Sequence, residues 1–588
     1  VFPAVEQDIV ARISQLHNLP DYIARMLHIR GVGPDDVESF LYPSMRSHFP
    51  DPFSLKGMRE FAEDLAARII EGETIGVLAD FDVDGATSSA IIIRFLRACG
   101  IEPPVYIPDR LSEGYGPNLN ALQTLKSQGA SFVIMADCGT TAFEAVQAGR
   151  NIGLDIAIFD HHEAEESLPD ANHVINPKRR DDTSGLSMLA ACGVSFLACV
   201  AINNILRREK FFEKNGWAEA PLKSWIDLVA LGTVCDMVPM TGPNRLFVRA
   251  GFHQMQQKTN MGIRALCEVS NVESALEPTH AGFSLGPRIN AGSRVHRSDL
   301  GARLLSTEDL DEARSIAFVL DDCNEQRKKI QAEMMKEAIA MVEEQGLDQH
   351  PVIIVSGPEW HPGLSGLVAG RLKERFGKPA IAVTFAENAD GVLEGRGSGR
   401  SVTGVSMAEA LIDARNNGLL VKGGGHAMAG GFTVMPDRLP ELREYLYAHI
   451  AKQSETLDMT PETVIDAVAS IRGAQAPYVR LLNDHIGPFG TGNAEPMFAL
   501  ANIRVHMADV LKEKHIRVQM TDWEGGRRMK GMLFNGVGTA LGDALLNQTS
   551  RGFHIAGQFK INSWQGNESV EFMISDAAFA IESASQAA

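Results

Sequence analysis

The sequence predicts a multidomain α/β protein: a doubly wound parallel-sheet domain, a long connecting helix, a second α/β domain and a C-terminal β-barrel. Three observations predict it. Between residues 74 and 159, short apolar runs alternate with helical stretches, the rhythm of a parallel sheet covered by helices. A long helical stretch then runs from about Thr307 to Gln345. From about Thr460 the pattern becomes short alternating strands, such as His515–Met520, which suits a small barrel. At roughly 150 residues per domain, a chain of 588 residues has room for about four domains.

Residues 1–70 read as helical, with breaks at Pro20, Gly31–Pro34 and Phe49–Phe53. In the segment 71–305 the apolar runs are Thr74–Ala79, Val105–Ile107, Phe132–Ala136 and Ile156–Phe159. Three of them end in an aspartate: Asp80, Asp137 and Asp160. Catalytic groups in doubly wound sheets gather at those carboxyl ends. In 306–346, Ser306 and Asp309 have capping-box spacing and Gly346 suits a C-cap. As one helix or two, this connector spans ~60 Å at ~1.5 Å per residue. The second α/β segment, 347–455, has strands near Val352–Val355 and Ile381–Thr384. The barrel occupies 456–582, and residues 583–588 read as a disordered tail.

Hydrophobic residues make up 45% and charged residues 22%, an ordinary globular composition. The net charge of -19 and pI of about 5.4 argue against general electrostatic binding of nucleic acid. Any such path is a local basic groove on an acidic body. Seven cysteines, an odd number without Cys-x-x-Cys spacing, suit a reducing compartment and not a disulfide or zinc framework. No apolar run approaches the roughly 18 residues of a membrane span.

Four clusters carry chemistry. The first is Asp80-Phe81-Asp82-Val83-Asp84-Gly85. In an extended segment, residues at i, i+2 and i+4 point the same way, so three carboxylates converge and call for cations. An EF-hand loop begins similarly but needs a glutamate at its twelfth position, which here is Ile91. A plain acidic turn is the other alternative. The second cluster is Asp137-Cys138-Gly139-Thr140, the third Asp160-His161-His162 and the fourth Thr233-Val234-Cys235-Asp236. Singly, each aspartate reads equally as a cap or loop residue. Together, the carboxylates and imidazoles suit a pair of Mn²⁺ or Mg²⁺ ions, which can activate a water and stabilise oxygens at phosphorus.

This order of motifs resembles the DHH phosphoesterases. The resemblance implies that Asp82 binds a first metal with Asp80 helping, that Asp84, His161 and Asp236 bind a second, and that Asp137 bridges them. It places His162 towards the phosphate and gives Asp160 the task of orienting the histidines. More of the chain is similar to the RecJ family: Leu41–Ser44, Pro108–Arg110, Glu113–Gly116, Gly286–Arg294, Trp360–Gly363, Gly423–Gly431 and Gly487–Asn493. The last three resemble that family's DHHA1 domain and the approach to its OB-fold. The implied activity is 5′-to-3′ degradation of single-stranded DNA to 5′-mononucleotides, in repair and recombination. Arg110, Ser398 and Arg400 then hold the terminal 5′-phosphate, with Arg288 and Arg294 on nearby phosphates and His426 in a Gly-rich segment that either lets a nucleotide approach or is a plain turn between strands.

In the segment Gly397-Ser398-Gly399-Arg400, exposed backbone N–H groups are expected to complete an anion pocket. On the barrel, Lys512, Lys514, His515, Arg517, Arg527, Arg528 and Lys530 interleave with Trp523 and Phe534, which suits single-strand binding or an ordinary charged surface over core aromatics. The family implies a cytoplasmic monomer that meets single-strand binding protein and a helicase. The rival readings are a phosphodiesterase acting on short RNA or cyclic dinucleotides, and a non-catalytic DNA-binding scaffold. Two departures from the family pattern, Glu163–Glu166 after the histidines and Ala291-Gly292-Ser293-Arg294, touch no expected metal ligand.

Overall fold

The structure, a computed structural model, describes residues 1–388, 391–455, 462–547, 551–564 and 567–580. The chain forms two compact units. One comprises Asp51–Asp236 and Ala250–Thr460; the other comprises Val1–Pro50, Met237–Arg249 and Pro461–Ala588.

The first unit opens with a parallel sheet of β1 (Ile75–Ala79), β2 (Val105–Tyr106), β3 (Phe132–Ala136), β4 (Asp155–Phe159) and β5 (His173–Ile175), in the order β2-β1-β3-β4-β5. Strands β1 and β3 are buried along their whole length, which is why they read as unbroken apolar runs. The chain leaves β1 for one edge and returns as β3 on its other side. That reversal opens a crevice at the carboxyl ends of β1 and β3.

One continuous helix, Leu310–Gln345, of 36 residues and about 54 Å, follows this domain. Its N-cap is Asp309, whose side chain accepts the N–H groups of Asp311 and Glu312. The expected capping box from Ser306 does not form, because Ser306 ends the preceding helix Leu300–Ser306. Gly346 closes the helix at φ 64°, as its sequence position predicts. The second sheet has β6 (Ile353–Gly357), β7 (Ala380–Glu387), β8 (Leu393–Arg400), β9 (Lys422–His426) and β10 (Ala429–Val434), in the order β6-β7-β8-β10-β9. The Gly-rich stretch around His426 is therefore a β-hairpin and not an open loop.

In the second unit, β11 (Ala467–Ala469) flanks a barrel of β12 (Phe498–Leu511), β13 (His515–Asp522), β14 (Met529–Leu533), β15 (Phe553–Trp564) and β16 (Asn567–Phe579). The order is β12-β13-β14-β16-β15, closed by β12 against β15, with β14 and β16 parallel. This is the five-stranded OB arrangement. Helices Gln7–His17 and Asp21–Ile29 bury Ile13, Ile23, Met26 and Leu27 in the same core as the barrel residues Leu500, Ile516 and Phe572. Arg245 fastens the short 237–249 stretch to this unit. It is buried and donates to the carbonyls of Phe40 (2.7 Å), Ile486 (2.8 Å) and His485 (2.8 Å). Residues 583–588, expected to be disordered, lie outside the described residues.

Candidate metal centre and anion pocket

The four sequence clusters meet at the crevice beside β1 and β3. Asp80 follows β1 directly. The chain then turns at once into the helix Val83–Ala98, so the alternating geometry expected for Asp80, Asp82 and Asp84 does not occur. Asp82 is instead the N-cap, and its Oδ1 accepts from the N–H of Asp84 (2.9 Å) and of Gly85 (3.2 Å). Gly85 is required there: a Cβ on it would lie 2.2 Å from the Asp80 carbonyl oxygen. Asp84, in the first helical turn, accepts the N–H groups of Ala191 (2.7 Å) and Cys192 (2.9 Å) at the start of the helix Ala191–Arg208. A helix N-terminus favours that carboxylate.

Asp137 follows β3 in a left-handed conformation, φ 60°. Asp160 and His161 follow β4. Asp236 follows no strand. The apolar run Ile226–Cys235 is a helix, and Asp236 is its C-cap. Gly232 lets that helix approach, since a Cβ there would meet Thr87 Oγ1, Cys192 Sγ and Asp84 Oδ1 within 2.9 Å.

Three sets of side chains bring ligand atoms within 4.8 Å of one another: Asp80, Asp82 and Asp137; Asp84, His161 and Asp236; Asp137, His161 and His162. His161 Nε2 lies 3.4 Å from Asp137, 3.6 Å from Asp236 and 3.8 Å from Asp84. These residues fit divalent cations. Asp80 Oδ1, Asp137 Oδ1 and His161 Nε2 are buried without a hydrogen-bond partner, which is costly unless another ligand satisfies them. Burial and then neighbouring Asp82 raise Asp84 to about 6; burial, Asp84 and Asp82 raise Asp236 to about 8. Burial, with four surrounding aspartates, also raises Asp137. Burial and the charge on His162 lower His161 to about 3, which keeps its imidazole neutral, as a ligand must be.

Asp160 organises the histidines. Its Oδ1 accepts His162 Nδ1 (2.7 Å) and the His161 N–H (2.8 Å), and its Oδ2 accepts the Thr140 N–H (3.0 Å). Burial works against ionisation of Asp160, yet the bonds from His162 and Thr140 hold it below the usual carboxylate range. Burial likewise opposes charge on His162, but Asp160, helped by Asp236 and Asp80, raises it to about 9. Two contacts were not predicted. Asn176 donates to Thr140 Oγ1 and to the His162 carbonyl, both at 2.9 Å. The Tyr115 hydroxyl lies 3.4 Å from His162 Nε2. Tyr115 was visible only as part of the Glu113–Gly116 segment; Asn176 gave no signal.

Beside this centre the arginines gather. Arg110 packs over the Phe81 ring at 4.7 Å and feels Asp80 and Asp82. Burial, then Arg110, Arg327 and Arg400, lower Arg294 to about 9; burial and Arg110 also lower Arg400. Ser398 Oγ lies 3.2 Å from Ser365 Oγ, and a Cβ on Gly366 would meet Arg400 Nη2 at 2.8 Å. Ser365 and Gly366 begin the helix Ser365–Phe376, so an unpredicted helix start joins this pocket. The backbone of Gly397–Arg400 does not contribute free N–H groups, because β8 is paired on both sides. Arg288 stands apart, tied to Asp321 at 2.8 Å and to the Ser284 carbonyl. His426 is exposed on the edge strand β9. On the barrel, Trp523 and Phe534 are exposed and not core; Arg504 lies 4.4 Å over Trp523, and His515 packs 5.1 Å from Phe534.

The fold and this constellation define a DHH-type phosphoesterase core carrying accessory domains. The DHH family N-terminal domain is matched over residues 74–233, the DHHA1 domain over 349–452 and the RecJ OB domain over 465–576. The chain is 34% identical over 565 residues to the single-stranded-DNA-specific exonuclease RecJ of Escherichia coli, covering 95% of each chain. It is 32% identical over 575 residues to that of Bacillus subtilis, covering 97% of this chain and 70% of the relative. A crystal structure of RecJ in complex with Mn²⁺ from Thermus thermophilus matches with a TM-score of 0.79 at 25% identity, over 98% of this chain and 78% of the other. The chain belongs to the RecJ family.

Proposed function

We propose that this protein is a metal-dependent 5′-to-3′ exonuclease that degrades single-stranded DNA to 5′-mononucleotides. The observation that carries the reading is the pairing of two carboxylate-rich cation positions with an adjacent cluster of arginines, Arg110, Arg294 and Arg400. Relatives named single-stranded-DNA-specific exonuclease, at 32–34% identity over most of the chain, support it.

In this reading Asp80, Asp82 and Asp137 hold one Mn²⁺ or Mg²⁺ ion, and Asp84, His161 and Asp236 hold the second, with Asp137 between them. When bound, such a pair supplies activation of a water and charge stabilisation at phosphorus. The chain supplies position. Arg110, Ser398 and Arg400 grip the terminal 5′-phosphate, which sets polarity, and Arg294 takes the next phosphate. Asp160 fixes His162 through Nδ1, so that Nε2 faces the phosphate. Arg288 packs against the connecting helix, and His426 lies at the margin of the strand's path. Catalysis is assigned to 71–305, phosphate binding to 347–455 and strand capture by charge and stacking to the barrel, 456–582. The segments 1–70 and 306–346 support and connect them. The reading makes the protein a cytoplasmic monomer acting in repair and recombination, with single-strand binding protein and a helicase as partners.

The test is degradation of an end-labelled, 5′-phosphorylated single strand with Mn²⁺, beside a 5′-blocked strand and a duplex. Mononucleotide release from the free 5′ end alone is expected. Asp137→Ala is expected to lower turnover by at least about 10³-fold, on the scale of losing transition-state charge stabilisation, while single-strand binding persists. Full activity in that variant would refute the two-cation assignment.

A further inference from the structure

The loop 108–116 carries Arg110 from the end of β2 to the metal centre, and its backbone is tied down. Glu113 folds back on the base of the loop. Its carboxylate accepts the Asp109 N–H at 2.9 Å, the Asn118 amide at 2.9 Å and the Tyr106 hydroxyl at 3.1 Å. The Arg110 N–H donates to Ser298 Oγ at 3.1 Å, and the Leu111 carbonyl accepts Arg396 Nη1 at 3.1 Å. Gly114 and Gly116, at φ 86° and 88°, turn the chain around Tyr115, whose hydroxyl reaches His162.

The side chain of Arg110 has no such ties. Among the described residues its guanidinium makes no hydrogen bond and no ion pair; it lies over the Phe81 ring, 4.7 Å from the centroid. A guanidinium stacked on a ring keeps its five N–H donors free around its edge. Phe81 is itself held on all sides. It stands between Asp80 and Asp82, is buried, and meets Tyr115 in a T-shaped contact with centroids 6.2 Å apart. Filling space beneath the metal turn does not account for this ring. A mere filler is covered by apolar atoms, whereas one face of Phe81 is covered by a charge drawn out of water: burial lowers Arg110 even though Asp80 and Asp82 favour its charge.

We propose that Phe81 is a positioning residue, whose ring seats the Arg110 guanidinium with its donors turned to the terminal 5′-phosphate and so sharpens the preference for a phosphorylated over a hydroxyl 5′ end. The inference rests on the exonuclease reading and on the phosphate grip given there to Arg110; it adds the residue that preorganises the grip. A long, flexible side chain held in place before the ligand arrives loses less freedom on binding. Because Asp80 and Asp82 flank Phe81, a single side chain links the turn of the first cation position to the pocket for the strand end.

The experiment compares wild type with Phe81→Leu, which keeps apolar bulk without a flat face, and Phe81→Tyr, which keeps the ring. Fluorescence anisotropy in metal-free buffer follows two 3′-labelled oligothymidines that differ only in carrying a 5′-phosphate or a 5′-hydroxyl. Wild type is expected to bind the phosphorylated strand more tightly. In Phe81→Leu that preference falls about five-fold, the scale of a desolvated cation–π contact, and Phe81→Tyr restores it. Adding Phe81→Leu to Arg110→Ala lowers the preference no further than Arg110→Ala alone, because the two residues act as one unit. An unchanged preference in Phe81→Leu, an equal loss for both strands, or additive losses in the double variant would overturn the proposal. Equal loss would make Phe81 a packing residue of the turn. A wild type that binds both strands alike would overturn it too. Should Phe81→Leu fold poorly, Phe81→Met, also apolar and without a ring, takes its place. Wild-type turnover of the phosphorylated strand with Mn²⁺ is measured in parallel. Its absence would defeat the exonuclease reading, while the metal-free preference still decides the role of Phe81.

Discussion

Asp84 and Asp236 share His161 as a neighbour, and burial leaves them titrating near 6 and 8 without a cation. A cation must displace those protons. Mn²⁺ affinity is therefore expected to rise as pH climbs from about 6 to about 8, because protonated carboxylates compete across that window. Calorimetric titration at a series of pH values checks this, and an affinity flat across the window would contradict it. His162 has the opposite sign in the cation-free protein. Its folded value of about 9 exceeds the ordinary one, so the stability it lends is complete below about 6.5 and fades as pH rises through 9. Residue by residue, the aspartates and histidines were legible because each follows an apolar run that ends at the crevice. Ser365, Gly366 and Asn176 were not, because nothing local distinguishes a serine at a helix start or an asparagine in a loop from hundreds like them. The free N–H groups expected at Gly397–Arg400 failed for a physical reason: glycine-rich sequence there serves close packing within β8, where a Cβ on Gly397 would run into Phe432 and one on Gly399 into Met407.

Between the elements, Gly85 and Gly232 set how closely the metal-bearing pieces meet. Gly85→Ala forces a methyl into the Asp80 carbonyl and is expected to cost about 3 kcal/mol. It should also lower turnover more than that loss of stability explains, because Asp80, Asp82 and Asp84 shift together. Thermal unfolding and steady-state kinetics on one preparation separate the two effects; a variant of wild-type stability and rate would show that the turn is not rigid. On the barrel, Trp523→Ala and Phe534→Ala are expected to weaken single-strand binding by about 1–3 kcal/mol per stacked base without lowering the melting temperature, since both rings are exposed. A fall in melting temperature without a change in binding would make them ordinary packing residues. Elements read from periodicity came out well where the signal is long, as in the connecting helix, or where apolar runs alternate with helical stretches, as in the buried strands. The exceptions are junctions. A run such as Ile226–Leu231 is apolar throughout, and strand and buried helix look alike at that length.

At the scale of the molecule, no motif or periodicity marks 237–249 as belonging with the barrel and the first fifty residues. Its anchor, Arg245, is a buried cation that donates to three carbonyls and stacks over the Phe40 ring; burial, with Arg249 and Arg30 nearby, lowers it to about 9. Arg245→Met is expected to destabilise this unit by about 3 kcal/mol, because three buried acceptors lose their donor. Hydrogen exchange localised to residues around 40 and 485 reads that loss, and unchanged protection there would show that water replaces the guanidinium. The same interleaving sets a timetable for biosynthesis. Ile13, Ile23, Met26 and Leu27 leave the ribosome before the barrel strands that cover them, which are made after about 470 further residues. At ~5–20 residues per second that is a wait of roughly 25–95 s. For most of translation the nascent chain therefore carries two amphipathic helices with their apolar faces uncovered, a ready client for a holding chaperone until the last strands emerge.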